Sequence, residues 1–122
     1  MQSGLVDIVS HPISLNFMTD AKEIVEAARQ YEVILEVNKS VLTEVIIQNR
    51  QDVIEASRLL FAEARKAKVP LLFGSDAHHV SEMGITSQER ERLSKFYDLD
   101  FDKLVNRDTA FVLEFLSKRH AP

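Results

Sequence analysis

The chain has 122 residues, 45% hydrophobic and 28% charged, values close to globular averages that exclude a disordered or fibrous protein. Its length predicts one domain over 1–122 that buries roughly 65% of its unfolded surface, but a closed eight-stranded barrel needs about 250 residues. A net charge of −4 leaves no basic footprint for nucleic acid, and the absence of cysteine excludes disulfides, zinc fingers and thiol nucleophiles.

Along the chain, the start Met1-Gln2-Ser3-Gly4 carries no basic residue ahead of the apolar run Leu5–Val9, which Asp7 interrupts. It does not read as a signal peptide. No apolar stretch reaches the ~20 residues of a membrane span, so a cytoplasmic protein without membrane partners is expected. Leu5–Ser10 is short and β-branched, and reads as a strand closed by His11-Pro12. Asp20, with Glu23 three residues on, reads as a capping box opening a helix whose Ile24, Ala28 and Tyr31 share a face. Val33–Asn38 reads as a second, fully buried strand. The segment Val41–Gln48 is apolar between polar flanks, and fits an irregular connection or a short helix.

From Arg50 to Lys68 the helical spacing of Val53, Leu60, Phe61, Ala64 and Ala67 is clear, and the last turn is basic, as the helix dipole prefers. Leu71–Phe73 reads as a third strand running into Gly74-Ser75-Asp76-Ala77-His78-His79. Thr86 and Glu89 form a second capping box, for a helix through Tyr97 that gathers Leu93, Phe96 and Tyr97. A last helix spans Asp108 to Arg119, with Phe111 and Phe115 one turn apart. The order βαβαβαα predicts an α/β fold of parallel strands with helical crossovers, whose C-terminal ends share the rim where such folds bind ligands.

Every strand ends in a group able to bind metal or move protons: His11 after the first, Glu36 and Asn38 on the second, Asp76 and His78 after the third. Strand alternation puts Glu36 and Asn38 on one face, opposite Leu35 and Val37, and sets Asp76 and His78 together on the face away from His79. Imidazole with carboxylate suits Zn²⁺, Mn²⁺ or Fe²⁺. Each piece has a plainer use: His-Pro as a turn, Glu36 as a solvated strand end, Asn38 and Asp76 as turn or capping residues. His79 reads as incidental, and His120 as a cation suiting a helix C-terminus.

In order, Val6-Asp7-Ile8-Val9-Ser10-His11-Pro12, Leu35-Glu36-Val37-Asn38 and Phe73-Gly74-Ser75-Asp76-Ala77-His78 resemble the later motifs of the PHP (polymerase and histidinol phosphatase) superfamily. Leu104-Val105-Asn106 before an apolar helix is similar to that family's tail. The resemblance covers essentially the whole chain. It implies the C-terminal half of a distorted (β/α)7 barrel with a cluster of zinc, manganese or iron ions that hydrolyses phosphoesters. It implies His11, Asp76 and His78 as metal ligands, with Glu36 and Asn38 behind them or on the substrate side.

The family's opening His-x-His strand and the His and Glu ligands that follow it are not in this sequence, so the metal cluster is expected to be incomplete in this chain. The isolated chain is then expected to be inactive or weak as a phosphoesterase, or to be a catalytically silent half-barrel with a binding role. Ile13-Ser14-Leu15 after His-Pro departs from the polymerase-associated pattern, and the negative charge argues against a metal-free role on RNA. An open parallel sheet exposes edges and an inner face, which predicts a homo-oligomer or association with the missing N-terminal half. The substrate expected of the complete protein is a small phosphorylated molecule.

Overall fold

The computed structural model describes residues 5–120; Met1-Gln2-Ser3-Gly4, part of the leader argument above, lies outside them. Three strands form one parallel sheet in the order β1-β2-β3: β1 (Ile8–Val9), β2 (Ile34–Asn38) and β3 (Leu71–Gly74). Five helices accompany them: α1 (Ala21–Gln30), α2 (Lys39–Ile47), α3 (Gln51–Lys66), α4 (Ser87–Tyr97) and α5 (Thr109–Arg119). The α/β class and the parallel pairing agree with the periodicity. None of these helices is long and apolar enough to cross a membrane.

The alternation along β2 decides the layers. Leu35 and Val37 point into the main core with Leu71 of β3, and α1 and α3 pack against each other over it. Val25 and Ala28 of α1 meet Val53, Leu60, Phe61 and Ala64 of α3 in that cluster. The other face carries Ile8, Ile34, Glu36 and Leu72, matched by the register Ile8↔Ile34 and Glu36↔Leu72. Tyr97 of α4 is fully buried, and its hydroxyl donates to Leu42 O of α2 at 2.7 Å. Burial pushes that phenol's pKa upward.

Three expectations need correction. The first strand is two residues rather than six: among the described residues only Ile8 and Val9 stand in register with β2, Asp7 O accepts from Ile34 N at the strand's entry, and Leu5 is 83% exposed. Of the two readings of Val41–Gln48 the short helix holds: Val41 to Ile47 lie in α2, Gln48 closes it, and the buried Asn38 starts it by accepting from Val41 N at 3.0 Å. The crossover from β2 to β3 therefore holds two helices, so the order is βαβααβαα. Finally, β3 stops at Gly74, and 75–79 is not a strand. Alternation does not govern where Asp76 and His78 point.

The two capping expectations hold at their first residues: Asp20 and Thr86 accept from the backbones of Glu23 and Glu89, and Asp108 starts α5 in the same way by accepting from Phe111 N. At Phe96 the expected apolar cluster of α4 opens to solvent.

Candidate functional site

The C-terminal ends of the three strands are joined by one carboxylate. Glu36 lies on the central strand, and its Oε2 accepts from Ser10 Oγ at 2.6 Å and from His11 N at 2.9 Å, both just past β1. The same oxygen accepts from Asn38 Nδ2 at 3.1 Å. On the opposite side the Glu36 side chain lies over β3: a Cβ built on Gly74 would collide with Glu36 Oε1. Glycine is thus required at 74 by a close approach rather than by its backbone angles. Ser10 was not singled out by the sequence, and only the register Ile8↔Ile34 brings its hydroxyl beside Glu36.

Asn38 is 3% exposed and fully engaged, giving Nδ2 to Glu36 and Oδ1 to Val41 N. It couples the carboxylate to the start of α2. His11 and Asp76 are both exposed, and neither side chain has a hydrogen-bond partner among the described residues. They are also conformationally unusual. The described non-glycine residues with positive φ are His11, Glu32, Asn49, Lys68, Asp76 and Asp98. Glu32, Asn49, Lys68 and Asp98 each close a helix, where a left-handed residue ends the hydrogen-bond ladder. His11 (φ 26°) and Asp76 (φ 52°) have no such duty, and both lie beyond strand ends on the rim. Backbone held in sparsely populated regions concentrates at functional sites.

The His78 ring is oriented by a turn. Its Nδ1 lies 2.9 Å from Asp76 O, and a carbonyl can only accept, so Nδ1 carries the proton and Nε2 is turned away from that bond. That is the arrangement of a metal-binding imidazole, whose other nitrogen is fixed by a carbonyl or carboxylate. Glu82 holds the same loop: its Oε2 accepts from His78 N at 2.8 Å and His79 N at 3.3 Å. The His78 N–H bond is the main reason its carboxyl lies below the usual glutamate range. His79 is the N-cap residue of the 3-10 turn Val80–Glu82, and Glu82 accepts from its backbone N–H. His120 is remote from the rim, and its Nε2 lies 2.9 Å from Asp7 Oδ2.

Chemically, His78 Nε2, the Asp76 carboxylate and the His11 ring are open to a ligand on this rim, and they are nitrogen and oxygen donors of the kind a divalent transition metal takes. Among the described residues, no three His, Asp or Glu side chains come close enough together to hold an ion by themselves. The donor types and the His78 orientation fit a metal as partial contributors.

No family model matches the chain. It is similar to proteins named probable phosphatase from several bacteria. One from Shewanella oneidensis is 35% identical over 120 residues, which is 98% of this chain and 45% of that protein. One from Pectobacterium atrosepticum is 33% identical over the whole of this chain and 48% of its own length. One from Yersinia enterocolitica is 32% identical over 98% of this chain and 46% of its own length. The chain thus spans about half the length of the curated relatives it matches.

Proposed function

We propose that this chain is part of a PHP-type, metal-dependent phosphoesterase, a single domain forming the C-terminal half of a distorted barrel that works in the cytoplasm on a small phosphorylated substrate. The observation that carries this reading is the rim itself. Two exposed residues with metal-binding side chains, His11 and Asp76, stand in left-handed backbone beyond parallel strand ends, and His78 presents Nε2. The similarity to probable phosphatases supports the same reaction class.

In this reading His11, Asp76 and His78 contribute ligands to zinc, manganese or iron, and further ligands come from outside these 122 residues. A divalent ion held there supplies positive charge for phosphoryl oxygens and acidifies water. The chain's own residues do the positioning. Glu36 fixes the His11 backbone through His11 N and locks Ser10 beside it. Asn38 holds the Glu36 carboxylate in place while capping α2. The outer edges of β1 and β3 carry no further strand among the described residues, which favours association with the other half of the barrel or with a second copy.

Titration of the chain with Co²⁺, read by the visible absorption of the bound ion, tests the ligand assignment. Asp76→Asn and His78→Ala should each weaken binding by at least about tenfold, by loss of a ligand, while His79→Ala should leave it unchanged. Equal affinity in all four proteins would make the Asp-x-His segment structural and favour a silent half-barrel that acts by binding.

A further inference from the structure

The loop carrying Asp76 and His78 lacks the usual reason to stay in place. Asp76 through Gly84 are all exposed, including Val80 at 85% and Met83 at 68%, so apolar burial does not anchor this run. Its side-chain hydrogen bonds are internal, with one exception among the described residues. Lys39, the first residue of α2, donates from Nζ to Glu82 O at 2.8 Å. Lys39 is itself 8% exposed, an unusual place for an ammonium, and a second acceptor, Glu89 Oε2 at 3.0 Å, completes its pairing. Glu82 then passes the constraint on, because its carboxylate accepts from the His78 and His79 backbones.

The structure assigns Lys39 and Glu82 as positioning residues that fix the backbone of Asp76–His79 relative to the end of β2, and so set the strength of ligand binding at Asp76 and His78. The second half of this inference rests on the functional reading above. The contacts form one path. Glu36 and Asn38 lie at the end of β2, Lys39 follows directly in sequence, and from its Nζ the path runs through Glu82 to the His78 amide. An unanchored, solvated loop would have to be ordered when a ligand binds, and that ordering weakens the apparent affinity. A loop already held by a buried ammonium avoids most of that loss.

Two readouts on the full chain test it, with Lys39→Met, Lys39→Arg, Glu82→Ala and Glu82→Gln compared at matched thermal stability. Amide hydrogen exchange at His78 and His79 should speed by at least about tenfold in Glu82→Ala and Lys39→Met. Lys39→Arg, which keeps a charged donor, should restore protection, and Glu82→Gln should lie between. Affinity for Zn²⁺, measured by competition with a chromophoric chelator, should fall in the same order. Unchanged exchange in Lys39→Met and Glu82→Ala overturns the assignment outright. Faster exchange with unchanged Zn²⁺ affinity overturns its link to ligand binding. If the parent protein takes up no Zn²⁺, the functional reading fails by itself, and exchange alone decides whether Lys39 and Glu82 hold the loop.

Discussion

Glu36 does at the residue scale what the sequence assigns to a cluster. Its spacing from Asn38 puts both on one face of β2, and the structure confirms that placement through the 3.1 Å bond between them. Alternation cannot show that a single carboxylate reaches β1 with one oxygen and covers Gly74 of β3 with the other. That fact depends on the register between strands far apart in sequence. It has a testable consequence, because the nearest atoms to a Cβ at Gly74 all belong to Glu36. Gly74→Ala must displace the carboxylate and release the three donors it holds, at about 1–3 kcal/mol. In a Glu36→Ala background the same substitution meets no obstacle, so urea denaturation should show strongly non-additive losses. Additive losses would mean that Gly74 is required for some other reason.

Among the elements, long periodic helices are legible and short edges are not. The spacing of Val53, Leu60, Phe61 and Ala64 places α3 almost to its ends, because all four are buried on one side. The first strand fails the same test because apolar Leu5 and Val6 carry the pattern on past the two residues that stand in register with β2. Val41–Gln48 is ambiguous from sequence because its apolar residues look out on several sides; the Asn38 cap decides for helix. Beyond β3 lies another feature hidden from pattern. Asn106 Oδ1 accepts from Phe73 N at 2.6 Å and its Nδ2 donates to Phe73 O at 2.9 Å, so one side-chain amide takes the place of a neighbouring strand there.

The C-terminal helix is fastened by charge rather than by burial, since none of the α5 residues is fully buried. Arg119 bonds Asp7 Oδ1 at 2.6 Å and the carbonyls of Val6, Tyr31 and Glu32, joining the end of α5 to the entry of β1 and the loop after α1. Hydrogen bonds from His120 and then Arg119 hold the Asp7 carboxyl below its ordinary value of 3.8. A carboxylate depressed in the folded state stabilises fully above its unfolded pKa, and that contribution fades as pH falls through the folded one. The chain should therefore lose stability below pH 3.8 more steeply than Asp7→Asn, as thermal melts across the acid range would show. Parallel acid limbs for the two proteins would mean that this contact does not hold α5.

For the molecule as a whole, the sequence carries the architecture further than the chemistry. Short buried strands between amphipathic helices suffice for a parallel α/β sheet, because the crossover rule leaves few alternatives. The rim residues are also legible, as His11, Asp76 and His78 all fall just past strand ends. What holds them is not legible: it lies in backbone angles, in a buried Lys39 and in a turn where alternation predicts a strand. The similarity to probable phosphatases covers only about half of those proteins, so the proposed reaction depends on whether this half contributes a real metal site.

Elemental analysis of the 122-residue chain, purified without chelator and then exposed to Mn²⁺, Zn²⁺ and Fe²⁺, addresses that claim directly. The account predicts that the partial site of His11, Asp76 and His78 retains divalent ion only weakly, well under the content of a full cluster, and that the Asp76→Asn, His78→Ala double variant loses it. A parent protein that retains no ion, or a double variant that retains as much as the parent, would contradict it.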